Sequence, residues 1–172
     1  IRIDLEIKLE EAYLGCLKPI SVKKINFFWG QEKEEVETIY VTIPEGIDNN
    51  EVILIKEKGN NYNNIIIGDI KVFIKVQKNN FFIRNGMDLI YKKEISLKEA
   101  LCGVNFEILH LNQKKYLIKN DGEMVINNNE IKKISNLGMK RENYIGNLII
   151  EFNIRMPDTI TVNQKWKLRE IL

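Results

Sequence analysis

The sequence predicts a mainly β protein: two tandem β-sandwich-like domains of the same topology, each carrying a short helix, with a helical segment at the C-terminal end. Three observations predict it. Apolar and polar residues alternate with period two in several segments, as in Ile1, Ile3, Leu5, Ile7 and Leu9 against Arg2, Asp4, Glu6 and Lys8, which is the signature of a half-buried strand. A short helical pattern closed by glycine occurs twice, as Leu9-Glu10-Glu11-Ala12-Tyr13-Leu14-Gly15 and as Leu97-Lys98-Glu99-Ala100-Leu101-Cys102-Gly103. A glycine followed by Asp or Asn introduces a long alternating strand twice, at Gly68-Asp69-Ile70 and at Gly146-Asn147-Leu148.

Taken in order, the first strand gives way to helical turns over Leu9 to Leu14. Alternation resumes at Ile20 and Val22, and again at Ile39, Val41 and Ile43, where Pro44-Glu45-Gly46 stops it. Val52 to Ile55 is a short apolar strand, and Ile70, Val72, Ile74 and Val76 form the long strand that ends the first half. The second half repeats the grammar: a strand over Leu89 to Ile95, the helix, alternation at Val104, Phe106 and Ile108, a turn over His110 to Lys114, and a return through Tyr116 and Ile118. Leu148 to Met156 is its final strand, stopped by Pro157. Each repeat is too long for a solenoid unit. The expected division is 1–78, 79–157 and a terminal segment 158–172, with the boundary at the polar run Lys78-Asn79-Asn80.

Composition narrows the function classes. The chain has 172 residues and is 44% hydrophobic, enough for a core; its 26 basic and 24 acidic residues give a net charge of +2, which does not point to nucleic acid. No apolar run reaches the ~18 residues of a membrane span. The start at Ile1, without a signal-peptide pattern, is read as a piece of a longer chain. Cys16 and Cys102 form no CxxC and suit a reducing compartment as buried thiols, although spacing alone leaves a disulfide open. The single histidine, His110, has no ligand-spaced companions, so no metal site or cofactor is expected. No nucleophile elbow, Walker loop or dinucleotide fingerprint is present, and the chain is not expected to be an enzyme.

Four segments together resemble the C-terminal region of J-domain (DnaJ-like) cochaperones, the heat shock protein 40 family. Asp4 through Gly15 is similar to the opening of the first C-terminal domain of that family. Phe82-Ile83-Arg84-Asn85-Gly86-Met87-Asp88-Leu89 resembles F-x-R-x-G-x-D-L, Ile95 through Gly103 resembles I-x-L-x-E-A-x-x-G, and Gly146 through Phe152 resembles the family's closing strand. Asn79 and Asn80 stand where members often carry a histidine. His110-Leu111-Asn112-Gln113 replaces a Thr-Leu-Asp-Gly turn, and the glycine-rich stretch is thinned to Asn136-Leu137-Gly138-Met139. The CxxCxGxG motifs of the zinc module are missing, so the resemblance is to the class without it. The His-Pro-Asp triplet of the J domain is missing as well.

The resemblance implies a chaperone role without chemistry. It implies a peptide-binding groove on Ile3, Leu5, Lys18, Ile20, Val22 and Phe82, which takes unfolded client polypeptides and the acidic Glu-Glu-Val-Asp tail of a DnaK-type (heat shock protein 70) chaperone. It implies a homodimer through the terminal segment, where Trp166, Leu168, Ile171 and Leu172 are apolar among charged residues, and a cytoplasmic protein that uses no nucleic acid, membrane or cofactor. The bland reading of the groove residues is core packing, and that of a lone lysine is a solvated surface. Phe27-Phe28-Trp29 sits at an expected hairpin tip, where packing over a sheet is preferred to an extra client contact. The alternatives are a β-sandwich scaffold with one fixed partner and a carbohydrate- or ligand-binding sandwich.

Overall fold

The computed structural model describes residues 1–120 and 122–172. Alternation produces the strands where it is expected. β1 (Arg2–Ile7) leads into α1 (Leu9–Leu14), then the long hairpin of β2 (Cys16–Phe28) and β3 (Gln31–Ile43). β4 (Val52–Ile55), the small hairpin β5 (Asn61–Tyr62) and β6 (Ile66–Ile67), and β7 (Ile70–Val76) complete the first half. After β8 (Phe82–Asn85), the second half runs β9 (Asp88–Ser96), α2 (Leu97–Cys102), β10 (Val104–Leu109), β11 (Lys115–Asn120), β12 (Ile131–Ile134), β13 (Lys140–Arg141), β14 (Tyr144–Ile145) and β15 (Leu148–Arg155). α3 (Val162–Ile171) closes the described chain.

The repeat seen in the sequence is a repeat of topology. β1 pairs parallel with β7, as β9 does with β15, and β4 and β12 add antiparallel on the far side of β7 and β15. The hairpins β2–β3 and β10–β11, and β5–β6 and β13–β14, also correspond. α2 begins with a capping box of Ser96 and Glu99, and α1 with its reciprocal half, in which the Lys8 N–H donates to the Glu11 carboxylate. β8 has no counterpart: it adds antiparallel to the edge of β9, whereas β1 keeps its edge open.

The inner faces make the core. Ile20 and Val22 of β2 and Ile39, Val41 and Ile43 of β3 are buried, as are Ile70, Val72 and Ile74 of β7; Leu89, Ile95, Leu148, Ile150 and Phe152 repeat the pattern in the second half. Burying each of these side chains contributes roughly 1.5–3 kcal/mol. The thiols do not follow the sequence expectation of buried roles: Cys16, the first residue of β2, is half-buried, Cys102, the last residue of α2, is exposed, and both are free. Among the described residues no helix is long and apolar enough to cross a membrane.

Polar contacts join the two halves. Arg141 donates two hydrogen bonds to Glu51, at 2.5 and 2.9 Å, and Lys140 pairs with Glu45 at 3.3 Å. The hydrogen bonds and charge of Arg141 hold the Glu51 carboxyl below its ordinary value, against the opposing effect of partial burial. A depressed carboxylate contributes stability above its unfolded pKa of about 4.3, and that stability disappears as pH falls through the lower folded value. Both groups are partly exposed, so the pair is worth at most about 1 kcal/mol. Glu51→Gln is therefore expected to lower urea stability by up to ~1 kcal/mol at pH 7 and by almost nothing at pH 3. An equal loss at both pH values would rule out this ion pair as the cause.

Candidate functional site

β1 is the outer strand of its sheet. Along β2 only Asn26 and Phe27 are covered on the side away from β3, where β5 pairs with them. The Ile25 N–H donates to Asn60 Oδ1 at 2.9 Å and the Phe27 carbonyl accepts from the Asn63 N–H at 2.8 Å, so odd-numbered backbone groups of β2 face away from β3. Strand periodicity then aims the N–H groups of Ser21 and Lys23 the same way. No partner within the described residues takes them. Pro19, which has no N–H, interrupts this edge.

Lys18 joins the two strands. From β2 its Nζ forms an ion pair with Glu11 of α1 at 3.0 Å and reaches the Glu6 carbonyl oxygen of β1 at 3.4 Å. Glu11 also accepts the Lys8 N–H at 2.7 Å. Burial would raise its carboxyl, but these hydrogen bonds and the two lysine charges outweigh it and hold the pKa below the ordinary value. A cation with about a quarter of its side chain exposed, tethered by one carboxylate and one carbonyl, can still offer a donor to an incoming anion.

Of the other residues expected to line a groove, Ile3 and Leu5 are half-buried on the inner side of β1, opposite Val72 and Ile74 of β7. Ile20 and Val22 are buried, with only 7% and 1% exposed, and form the floor beneath β2. Phe82 stands apart. It lies buried on β8, with its ring 5.7 Å from His110 and 5.5 Å from Tyr91, at a cleft of about 670 Å³ that Leu9, Asp48 and Val76 also line.

Trp166, Leu168, Ile171 and Leu172 all lie on or just beyond α3, and no residue of that helix is buried. At 100° per residue, Leu168, Ile171 and Leu172 share one side and Trp166 the opposite one, so the helix has two apolar stripes, not one. Leu168 lines a cleft beside α2, with Leu101 and Met156. Thr161 caps the helix by accepting the Gln164 N–H.

Two residues have roles here that the sequence reading did not give them. His110 lies at the expected turn, where its carbonyl accepts the Gln113 N–H, and its side chain is buried: its Nε2 lies 2.9 Å from the Leu137 carbonyl oxygen, and Tyr13, Phe82 and Tyr116 surround its ring. Arg84 of β8 donates to the carbonyls of Gly46, Ile47 and Gly86. The only signal for Arg84 was the F-x-R motif itself. Among the described residues there is no group of His, Cys, Asp and Glu side chains able to hold a metal.

A family model described as the DnaJ C terminal domain matches residues 1–157. "DnaJ protein homolog 1" of Drosophila melanogaster is 29% identical over 175 residues, covering 100% of this chain and 52% of its own length. "DnaJ protein homolog 2" of Allium porrum is 32% identical and covers 83% of the chain and 34% of its own length. "Chaperone protein DnaJ" of Borreliella burgdorferi is 38% identical over 74% of the chain and 35% of its own length. The chain thus spans about half or less of these relatives.

Proposed function

The chain belongs to the DnaJ C-terminal domain family, and from that premise we propose that it is the polypeptide-binding part of a cochaperone. It holds unfolded client segments, binds the acidic C-terminal tail of a DnaK-type (heat shock protein 70) chaperone, and passes clients to that chaperone. The first domain, 1–78, carries the groove on Ile3, Leu5, Lys18, Ile20 and Val22, and Phe82 joins it from the start of the second domain, 79–157. The single observation that supports this best is the partly exposed Lys18 amine beside the open edges of β1 and β2. An extended peptide adds to a strand edge through its backbone, and a lysine fixes an acidic terminus in register. The role requires no bond to be made or broken by the chain. A cytoplasmic setting fits the two free thiols.

Because Glu11 already holds Lys18, an acidic tail must compete with it, and binding should be weak and salt-sensitive, on the order of micromolar to tens of micromolar. In a fluorescence-anisotropy titration with a labelled peptide ending Glu-Glu-Val-Asp, Lys18→Glu is expected to abolish binding, and Glu11→Gln to tighten it a few-fold. Tail binding that survives Lys18→Glu in a folded protein would remove the groove from consideration and favour a scaffold with one fixed partner.

The terminal segment, 158–172, supplies the homodimer contact in this reading, since Trp166 (60% exposed), Ile171 (78%) and Leu172 (86%) are left largely uncovered by the described residues. Two grooves carried by one dimer gain avidity for a long client. Sedimentation analysis should show a dimer that becomes a monomer when residues 162–172 are deleted. A dimer that persists after the deletion assigns the contact elsewhere.

A further inference from the structure

The end of the sheet farthest from Lys18 is built differently from the rest of the molecule. Two hairpins stop there side by side. Trp29 and Gly30 turn the first with φ of 49° and 82°, and Asn63 and Asn64 turn the second with φ of 53° and 56°. The tips are tied together: the Trp29 N–H donates to Asn63 Oδ1 at 3.1 Å, and Phe27 stacks on Tyr62 with ring centroids 4.6 Å apart. The expected packing role therefore holds for Phe27 but not for its neighbour, because Trp29 is 94% exposed. Ile65, Ile66 and Ile67 are 83%, 66% and 40% exposed, and Tyr62 and Phe28 are also exposed.

Three features of this tip point to a ligand. Left-handed turn positions favour Gly and Asn, and a fully exposed tryptophan in one is not explained by folding. β6 is the outer strand of the four-stranded sheet, and an open, apolar edge is a template for another strand. The β5–β6 hairpin and the end of β2 beside it are also free of charge: residues 25–31 and 59–68 contain no Lys, Arg, Asp or Glu, and the nearest charges of the first hairpin, Glu32 and Lys33, lie on β3, on the far side of β2 from β6. An edge without cations of its own offers little to an acidic tail or an anionic membrane. It matches an extended, uncharged, apolar stretch of polypeptide.

We propose that the paired hairpin tips are a second polypeptide-binding site, in which an uncharged apolar segment adds to the edge of β6 and packs against Trp29. The site deepens the client-binding reading and rests on it. It lies on the same sheet as the open edge of β2. Eight residues separate Ser21 from Trp29 along that strand, roughly 27 Å, so one extended client about ten residues long or more can occupy both places.

Trp29 reports on its own site. The chain has two tryptophans, so Trp166→Phe leaves Trp29 as the sole tryptophan, which excitation at its red edge reads apart from the tyrosines. The probe is a dansylated heptapeptide of Asn, Ser, Leu and Val. Saturable quenching of Trp29 with energy transfer to dansyl is expected. An Ile65→Ser/Ile66→Ser double variant should weaken binding at least tenfold while leaving Glu-Glu-Val-Asp peptide binding unchanged. Trp29→Gly, which suits the turn and keeps the fold, should do the same when read by dansyl anisotropy. Equal affinity in the double variant, or no Trp29 response up to millimolar peptide, overturns the proposal. So does a response to phosphatidylcholine vesicles without one to peptide, or peptide-free self-association that these variants abolish. A Trp29 response in a protein that fails to bind the acidic tail upholds the tip and removes the Lys18 groove; tail binding without a Trp29 response does the reverse.

Discussion

Replacing Gly146 with alanine is expected to prevent stable folding. A Cβ at this position would lie 1.9 Å from the Met87 carbonyl oxygen and 2.4 Å from its carbon. Both are backbone atoms, in the tight turn between β8 and β9, and cannot swing aside as a side-chain end could. That carbonyl is also committed: it accepts the Met139 N–H at 2.7 Å, and Gly138 leaves room for it from the other side, where a Cβ would come within 2.5 Å. Relieving the clash means opening the β8–β9 turn or the loop before β15, with loss of backbone hydrogen bonds in either case. The cost should be about 4 kcal/mol or more, a large share of the stability of an ordinary domain. The first half supplies a matched control. Gly68 stands at the corresponding place before β7, but no extra strand packs over it, and its nearest neighbour to a new Cβ is 3.6 Å away. Gly68→Ala should cost less than about 1 kcal/mol. Urea denaturation of both variants decides the matter, and similar stability of the two would refute the close-approach account.

Replacing Arg84 with methionine should cost about 2–4 kcal/mol. The side chain is only 10% exposed, and its guanidinium links β8 to the loop after β3. Nη2 donates to the Gly46 carbonyl at 2.9 Å, Nη1 donates to that of Ile47, and Nε donates to Gly86 at 2.8 Å within its own turn. Asp48 lies 3.7 Å away and is half-exposed, so its charge adds little. Methionine fills similar volume but leaves the Gly46 and Ile47 carbonyls without their donor, and that loss sets the estimate. Lysine offers a point charge in place of a fork and cannot serve both carbonyls at once, so Arg84→Lys should recover less than half of the loss. A full recovery by lysine in the same denaturation series would show that charge, not fork geometry, is what the junction needs.

These two residues also mark where legibility ends. Arg84 and Gly146 both fall in segments that the sequence reading used as family marks, yet neither role could be read from them. Arg84 and the carbonyl it holds are 37 residues apart, and Met87 reaches Gly146 only because β8 folds onto β9. His110 was legible as the start of a turn, but its burial was not, because the aromatic rings that enclose it come from α1, β8 and β11. Lys18 was legible as a cation at the start of a strand. That Glu11 holds it was not, because the residue spacing does not tell that α1 folds back toward β2.

What the sequence determined by itself is local. Period-two alternation marked β1, β7 and β15, glycine and proline marked where elements stop, and the twice-written helix pattern marked the tandem repeat, because each depends on the stereochemistry of a few neighbouring residues. Tertiary structure alone decided which edges stay open, which halves touch and which apolar residues are left uncovered. Ile66 of β6 and Ile74 of β7 are both isoleucines in apolar stretches, yet one is 66% exposed and the other is fully buried. The difference lies in what packs above each strand, which depends on the course of the whole chain and not on the residues beside it.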